Sequence, residues 1–162
     1  MTKIEKIVKI LRDRSKTIST MESCTGGFVA SSITDVPGAS KILNFSAITY
    51  SNEYKIKMGV SSDIIDKYTV YSSEVSKEMA RVISEFALSD YGIGITGKLG
   101  KKDPANLTGN DNQVFISIYD RKENRYVSFD LYTDDKYRIN NKKQVLNLIL
   151  DKFYKYLSDE DV

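Results

Sequence analysis

The run Glu22-Ser23-Cys24-Thr25-Gly26-Gly27 places a serine and a threonine hydroxyl beside two glycines. The β-branched stretch Thr17 to Met21 before it predicts a strand. Phe28, Val29 and Ile33 after it predict a helix,. The run therefore falls at a strand-to-helix turn. Backbone N–H groups at a helix start lack intrahelical partners and favour an anion, either a phosphate or a developing oxyanion. Paired glycines let a ligand approach the backbone closely. The plainer alternative is that Ser23 caps the helix and the glycines only pack. Cys24 is the one cysteine of the chain, and a lone cysteine is usually a small buried apolar residue,.

A second candidate is Thr49-Tyr50-Ser51-Asn52-Glu53-Tyr54-Lys55, at the end of a strand predicted over Asn44 to Tyr50. Ligands of open α/β sheets bind outside the carboxyl ends of strands. The chain has no histidine. A Ser-His-Asp triad, a Cys-His pair and a His-ligated zinc are therefore impossible within it. A serine here needs another base, and a desolvated lysine such as Lys55, helped by the Tyr50 hydroxyl, can serve. The competing reading leaves Lys55 solvated and Tyr50 packed. A third candidate is Ile95-Thr96-Gly97, again a strand end, followed by a polar loop over 97–112. A loop of that length is often a functional lid or a disordered segment.

The elements that must position these residues follow from periodicity. Ile4, Ile7, Val8 and Leu11 predict a helix over 3–14,. Val36-Pro37-Gly38 ends the second helix. Ser51-Asn52 caps a short helix to Met58, and Ser61 or Ser62 caps another turn through Asp66. A long helix covers 72–89, and Tyr91 to Thr96 is a buried strand. Gln113 to Tyr119 and Arg125 to Tyr132 form a hairpin. Val145, Leu146, Ile149, Phe153 and Leu157 mark the last helix, and Ser158 to Val162 is expected to fray. This order predicts a single domain over 1–162, a three-layer α/β/α arrangement with a mixed sheet.

The 162 residues are 41% apolar and 28% charged, with a net charge of +2. This composition is that of an ordinary globular chain. The even spread of charge gives no reason to expect nucleic acid or a membrane as partner. No apolar run approaches a membrane span or a signal peptide, so the expected location is the cytoplasm. A symmetric homodimer is the expected assembly, being the commonest one.

Taken together, the first motif, Ile33 to Ser40, Ile48 to Glu53 with Lys55, Met58-Gly59-Val60, Val75 to Ala80 and Gly94-Ile95-Thr96-Gly97 resemble the CinA C-terminal family. The resemblance runs from about residue 3 to 132 and more weakly through the last helix. It implies a nicotinamide-nucleotide amidase that converts nicotinamide mononucleotide to nicotinate mononucleotide and ammonia, with no metal and no cofactor. By position it makes Ser23 the nucleophile and Tyr50 with Lys55 its activating pair. Thr25, Gly26 and Gly27 become the turn that holds an oxyanion or phosphate, and Asn52, Thr96 and Gly97 line the pocket. The chain departs from the family after Gly97. Lys98-Leu99-Gly100-Lys101-Lys102-Asp103-Pro104 stands where glycines and a proline are usual, and side chains fill space that glycine backbone would leave. If those lysines replace backbone contacts, they meet a phosphate. The family's phosphate-binding arginine near the last helix is either missing or replaced by Arg138 or Lys136. Two other readings stay open. One is a divergent homologue acting on or binding another small ligand. The other is a non-catalytic interaction protein of a competence or DNA-damage response.

Overall fold

Residues 1–100 and 107–160 are described by the structure, a computed structural model. Helix α1 (Lys3–Asp13) begins with a capping box. The Thr2 side chain accepts the Glu5 N–H, and the Glu5 carboxylate accepts the Thr2 N–H,. Then come β1 (Ile18–Glu22), α2 (Phe28–Thr34), a 3-10 turn at Ala39–Lys41, β2 (Ala47–Ile48), α3 (Asn52–Lys57), α4 (Ser62–Tyr68) and α5 (Ser73–Ala87). β3 (Tyr91–Gly97), β4 (Gln113–Asp120), β5 (Arg125–Tyr132) and α6 (Arg138–Asp159) complete the order. The strands form one sheet in the order β2-β1-β3-β4-β5. β1 is parallel to both β2 and β3, whereas β3-β4 and β4-β5 are antiparallel. The mixed three-layer architecture is thus as the sequence predicts.

Alternation along β3 sorts the two faces. Tyr91, Ile93 and Ile95 join a large core with α1, α2 and α6. Gly92 and Gly94 point the other way, where α5 lies directly on the sheet. A Cβ on Gly92 would fall 2.1 Å from the Ala80 carbonyl oxygen, and one on Gly94 would fall 2.2 Å from that of Ser76. No side chain fits there, so glycine is what lets α5 sit so close. A smaller core around Met21, Val75, Met79 and Ile83 fills the α5 side. A hydroxyl chain also crosses that side. Ser76 Oγ donates to the Ser73 carbonyl at 2.8 Å and lies 2.7 Å from Ser117 Oγ, which is 2.8 Å from Ser128 Oγ. Among the described residues no helix is long and apolar enough to cross a membrane.

Two local expectations are corrected. The strand expected over Asn44 to Tyr50 shrinks to Ala47–Ile48 because β2 pairs only with Met21 and Glu22 of β1. Just upstream, the Thr20 N–H is taken by the Ser46 side-chain oxygen at 3.0 Å instead of a ladder carbonyl. Of the segment expected to fray, Ser158 to Glu160 is held in place, and residues 161–162 lie outside the described residues. α6 runs to Asp159, and Glu160 accepts from Tyr91 Oη at 3.0 Å and from Arg14 at 3.1 Å.

Candidate active site

The carboxyl ends of β1, β2 and β3 lie side by side, so the three sequence candidates share one edge of the sheet. The Ser23 N–H continues the ladder to the Ile95 carbonyl at 3.1 Å, and the Thr49 N–H binds the Glu22 carbonyl at 2.8 Å. With Glu22 paired to Ile95, one further step sets Ser23 beside Thr96.

Ser23 shares the α5 face of β1 with Met21 and is buried,. Lys55 reaches it from α3. The Lys55 side chain is 1% exposed, and its Nζ lies 3.1 Å from Ser23 Oγ and 2.8 Å from the Thr49 carbonyl oxygen. α3 can deliver it because Ser51 caps the helix, its hydroxyl accepting the Tyr54 N–H at 3.2 Å. A serine hydroxyl thus stands in hydrogen-bond contact with a buried lysine amine, 32 positions away in sequence.

Tyr50 does not join that pair. Strand alternation turns Thr49 inward and Tyr50 outward, leaving Tyr50 65% exposed,. Its hydroxyl accepts from Arg138 Nη2 at 3.3 Å and makes no hydrogen bond to Ser23 or Lys55. Asn52 is the half-buried first residue of α3.

The remaining residues of the first motif divide between support and approach. Thr25 is fully buried and donates its hydroxyl to Glu22 Oε1 at 2.7 Å, so that hydroxyl is committed to the scaffold. Gly27 adopts φ 94°, and a Cβ there would lie 2.8 Å from Ile48 Cδ1. The N–H groups of Val29 and Ala30 do not face solvent as expected of a helix start. Both are taken by the Glu22 carboxylate, at 3.0 and 2.9 Å. That carboxylate also accepts from Thr20 Oγ1 at 2.9 Å, and the Glu22 side chain has no solvent exposure. The N–H groups of Thr25 and Gly27 remain without an acceptor among the described residues. Burial pushes the Cys24 thiol up to about 12,. A thiol so held is a poor nucleophile.

Thr96 is buried and donates to the Val70 carbonyl at 2.8 Å. Gly97 presses against β4, where a Cβ would sit 2.4 Å from the Gln113 carbonyl oxygen. Both shape the floor rather than present donors. On the other flank, the first turns of α6 bring two cations to the edge. Arg138 Nη1 lies 3.4 Å from the Leu99 carbonyl oxygen, and Lys142 Nζ would stand 3.6 Å from a Cβ on Gly26. Lys136 lies instead over the ring of its neighbour Tyr137, 5.0 Å from the centroid. Lys101, Lys102, Asp103 and Pro104 fall outside the described residues.

Sequence reasoning missed the roles of Glu22 and Lys142. Alternation from Ile18 through Thr20 puts Glu22 on the α2 face, and Lys142 is one helical turn from Arg138, so both signals were present.

The three-layer α/β fold carries a serine–lysine contact at its parallel strand edge, and the comparisons show the family to which that fold belongs. The model of the CinA C-terminal domain matches residues 1–157, and the chain belongs to that family. A CinA-like protein of Endomicrobium trichonymphae is 36% identical over 149 residues, covering 88% of this chain and 33% of the relative. A Caldanaerobacter subterraneus relative with a competence-damage inducible name is 47% identical over 97 residues, 59% of this chain and 24% of its own length. The matched region thus spans about a quarter to a third of these curated relatives. The crystal structure of a competence or damage-inducible protein from Enterobacter asburiae superposes with a TM-score of 0.87 at 20% identity, covering 96% of each chain. A competence/damage inducible protein from Agrobacterium tumefaciens gives 0.81 at 20% identity, over 98% of this chain and 97% of that one.

Proposed function

We propose that the chain is a serine amidohydrolase that cleaves the carboxamide of nicotinamide mononucleotide, releasing ammonia and nicotinate mononucleotide. The observation that carries this reading is the buried contact of Lys55 Nζ with Ser23 Oγ at 3.1 Å. At that separation a neutral amine can take the hydroxyl proton as the oxygen attacks. Burial strips an ammonium of its hydration, which is the condition a lysine base needs. The same amine then returns the proton to the departing nitrogen, and water hydrolyses the acyl-serine.

Two further features fit a phosphorylated substrate. Lys142 stands beside the glycine turn and Arg138 beside Tyr50 and Leu99, and α6 adds the positive end of a 22-residue helix,. The N–H groups of Thr25 and Gly27, without an acceptor among the described residues, lie in the turn that follows the nucleophile and can face an oxyanion,. In this scheme Tyr50 acts through Arg138, which its hydroxyl holds, and not on Ser23.

Ammonia release from nicotinamide mononucleotide by purified protein tests the proposal. Steady release by the wild type and none by Ser23→Ala is the expected result. Wild-type protein that binds the nucleotide without releasing ammonia would move the chain to the class of binding homologues. Protein that neither binds nor hydrolyses it would leave a different small ligand or an interaction role.

A further inference from the structure

Lys98 is the least expected side chain at this edge. Although it heads the loop after β3, it is 4% exposed. Its N–H extends the β3-β4 ladder to the Gln113 carbonyl at 3.0 Å. Alternation therefore keeps its side chain on the face of Thr96. The contacts agree, since Thr96 binds the Val70 carbonyl and Lys98 Nζ lies over the ring of the next residue, Tyr71, 4.9 Å from the centroid. That face is also the face of Ser23 and Lys55.

The Lys98 ammonium has three donors, yet Nζ is buried with no hydrogen-bond partner among the described residues,. Ser19 Oγ and Thr49 Oγ1 share that condition among the described residues, but neither carries a charge. A ring face attracts a cation without replacing a hydrogen-bond acceptor. Buried polar groups without partners are rare and call for a reason. The position gives one. Ser23 stands beside Thr96, and Lys98 is two residues further along the same face, so the missing acceptor belongs where an acyl group on Ser23 would lie. Arg138 and Lys142 approach from the α6 side and are placed for the far end of the ligand.

We propose that Lys98 binds the acyl oxygen of the substrate, a catalytic contact that rests on the amidase reading above. On attack, the Ser23 oxygen forms a bond to the carboxamide carbon and the C=O π pair moves onto oxygen. Lys98 faces that oxyanion with an N–H and keeps its proton. The pair returns as the C–N bond breaks and Lys55 protonates the leaving nitrogen. After water hydrolyses the acyl-serine, the same ammonium faces the product carboxylate. The chain is thereby suited to amides whose product is a free carboxylate held in place, and it binds that acid more tightly than the amide.

The test measures the affinities of nicotinate mononucleotide and nicotinamide mononucleotide by calorimetry, with turnover, for wild type and Lys98→Met. Wild type should bind the acid on the order of 10-fold more tightly, the size of a charge-assisted contact. Lys98→Met should abolish that preference and lower kcat by roughly 10²- to 10³-fold, as loss of an oxyanion donor does. Its binding of the amide should stay within about 3-fold, and its Tm should hold, because the orphan charge is gone. Should Lys98→Met fail to fold, Lys98→Gln gives the same readout. Repeating the pair with the phosphate-free ribosides separates the two anionic groups, and the acid preference must persist there. Equal weakening of acid and amide, or a preference lost with the phosphate, would assign Lys98 to the phosphate and overturn the proposal. Unchanged ratio and kcat in an active enzyme would remove Lys98 from the site and leave the amidase reading standing. A wild type that neither binds nor hydrolyses would defeat the amidase reading, and this proposal with it.

Discussion

Replacing Glu22 with glutamine tests whether the nucleophile turn hangs on one carboxylate. Glu22 Oε1 accepts from Thr25 Oγ1 and the Val29 N–H, while Oε2 accepts from Thr20 Oγ1 and the Ala30 N–H. All four partners are donors, so a carboxylate with two acceptor oxygens fits them. Glutamine has the same shape but turns one oxygen into an NH₂. The threonine hydroxyl on that side can rotate to accept from it, whereas the backbone N–H cannot. Whichever way the amide sits, one of Val29 and Ala30 loses its partner, at about 1–3 kcal/mol. Loss of the negative charge at the start of α2 adds about 0.3–1 kcal/mol, and up to about 2 where it is partly buried. The expected destabilisation is therefore about 2–4 kcal/mol. For a chain of 162 residues that is a fall in Tm of roughly 5–15 °C,. Urea denaturation should show a lower midpoint with an unchanged slope. Ammonia release should also fall at temperatures where the variant is fully folded, because Ser23 is the next residue. The opposing effect is the desolvation of a buried carboxylate, which glutamine relieves. A Glu22→Gln variant within about 0.5 kcal/mol of wild type, or more stable than it, would show that desolvation outweighs the four hydrogen bonds and would refute the argument.

Lys55→Met should abolish ammonia release while the variant still folds cooperatively; parallel activity and melting measurements decide it,. Gly94→Ala should cost about 4 kcal/mol or more by forcing α5 off the sheet, seen as a collapsed urea midpoint or loss of soluble protein,. The Cys24 thiol is raised by burial to about 12 from an ordinary 9.0, which fixes the sign of its pH effect. Below about pH 9 it is protonated in both states and contributes nothing. Above that, the unfolded chain releases a proton that the folded chain retains, so stability falls with rising pH by about 1.4 kcal/mol per unit. Comparing wild type with Cys24→Ala at pH 8 and pH 10 checks it, because the variant should lose that part of the slope.

The scaffold was legible wherever a repeating pattern encodes a face. Ile4, Ile7, Val8 and Leu11 announce α1, and the hairpin of β4 and β5 falls within a residue of its expected bounds. β2 was overestimated because its sequence has the composition of a longer strand. Its length is set by what β1 offers to pair with, and the Ser46 side chain ends the ladder early. In the site, convergence on one edge was readable from the strand ends, but side-chain direction was not. Tyr50 and Lys55 lie within one motif, yet strand alternation turns the first outward while the helix returns the second inward. Its sequence places Lys98 in a polar loop, since nothing local tells that the ladder carries on one residue past Gly97.

The hydroxyls that cross from α5 to β5 also have a fixed polarity. Each serine has a single hydrogen to give, and Ser76 gives its own to the Ser73 carbonyl,. Ser117 must then point its hydrogen at Ser76, and Ser128 must point its own at Ser117. One helical carbonyl thus orients three rotors in series across two strands, like a row of compass needles set by the first. Alanine at 128 removes the last needle and leaves the others as they are. Alanine at 76 removes the acceptor that Ser117 uses on the helix side, so Ser117 must turn its hydrogen to Ser128, whose own hydrogen then loses its place on Ser117.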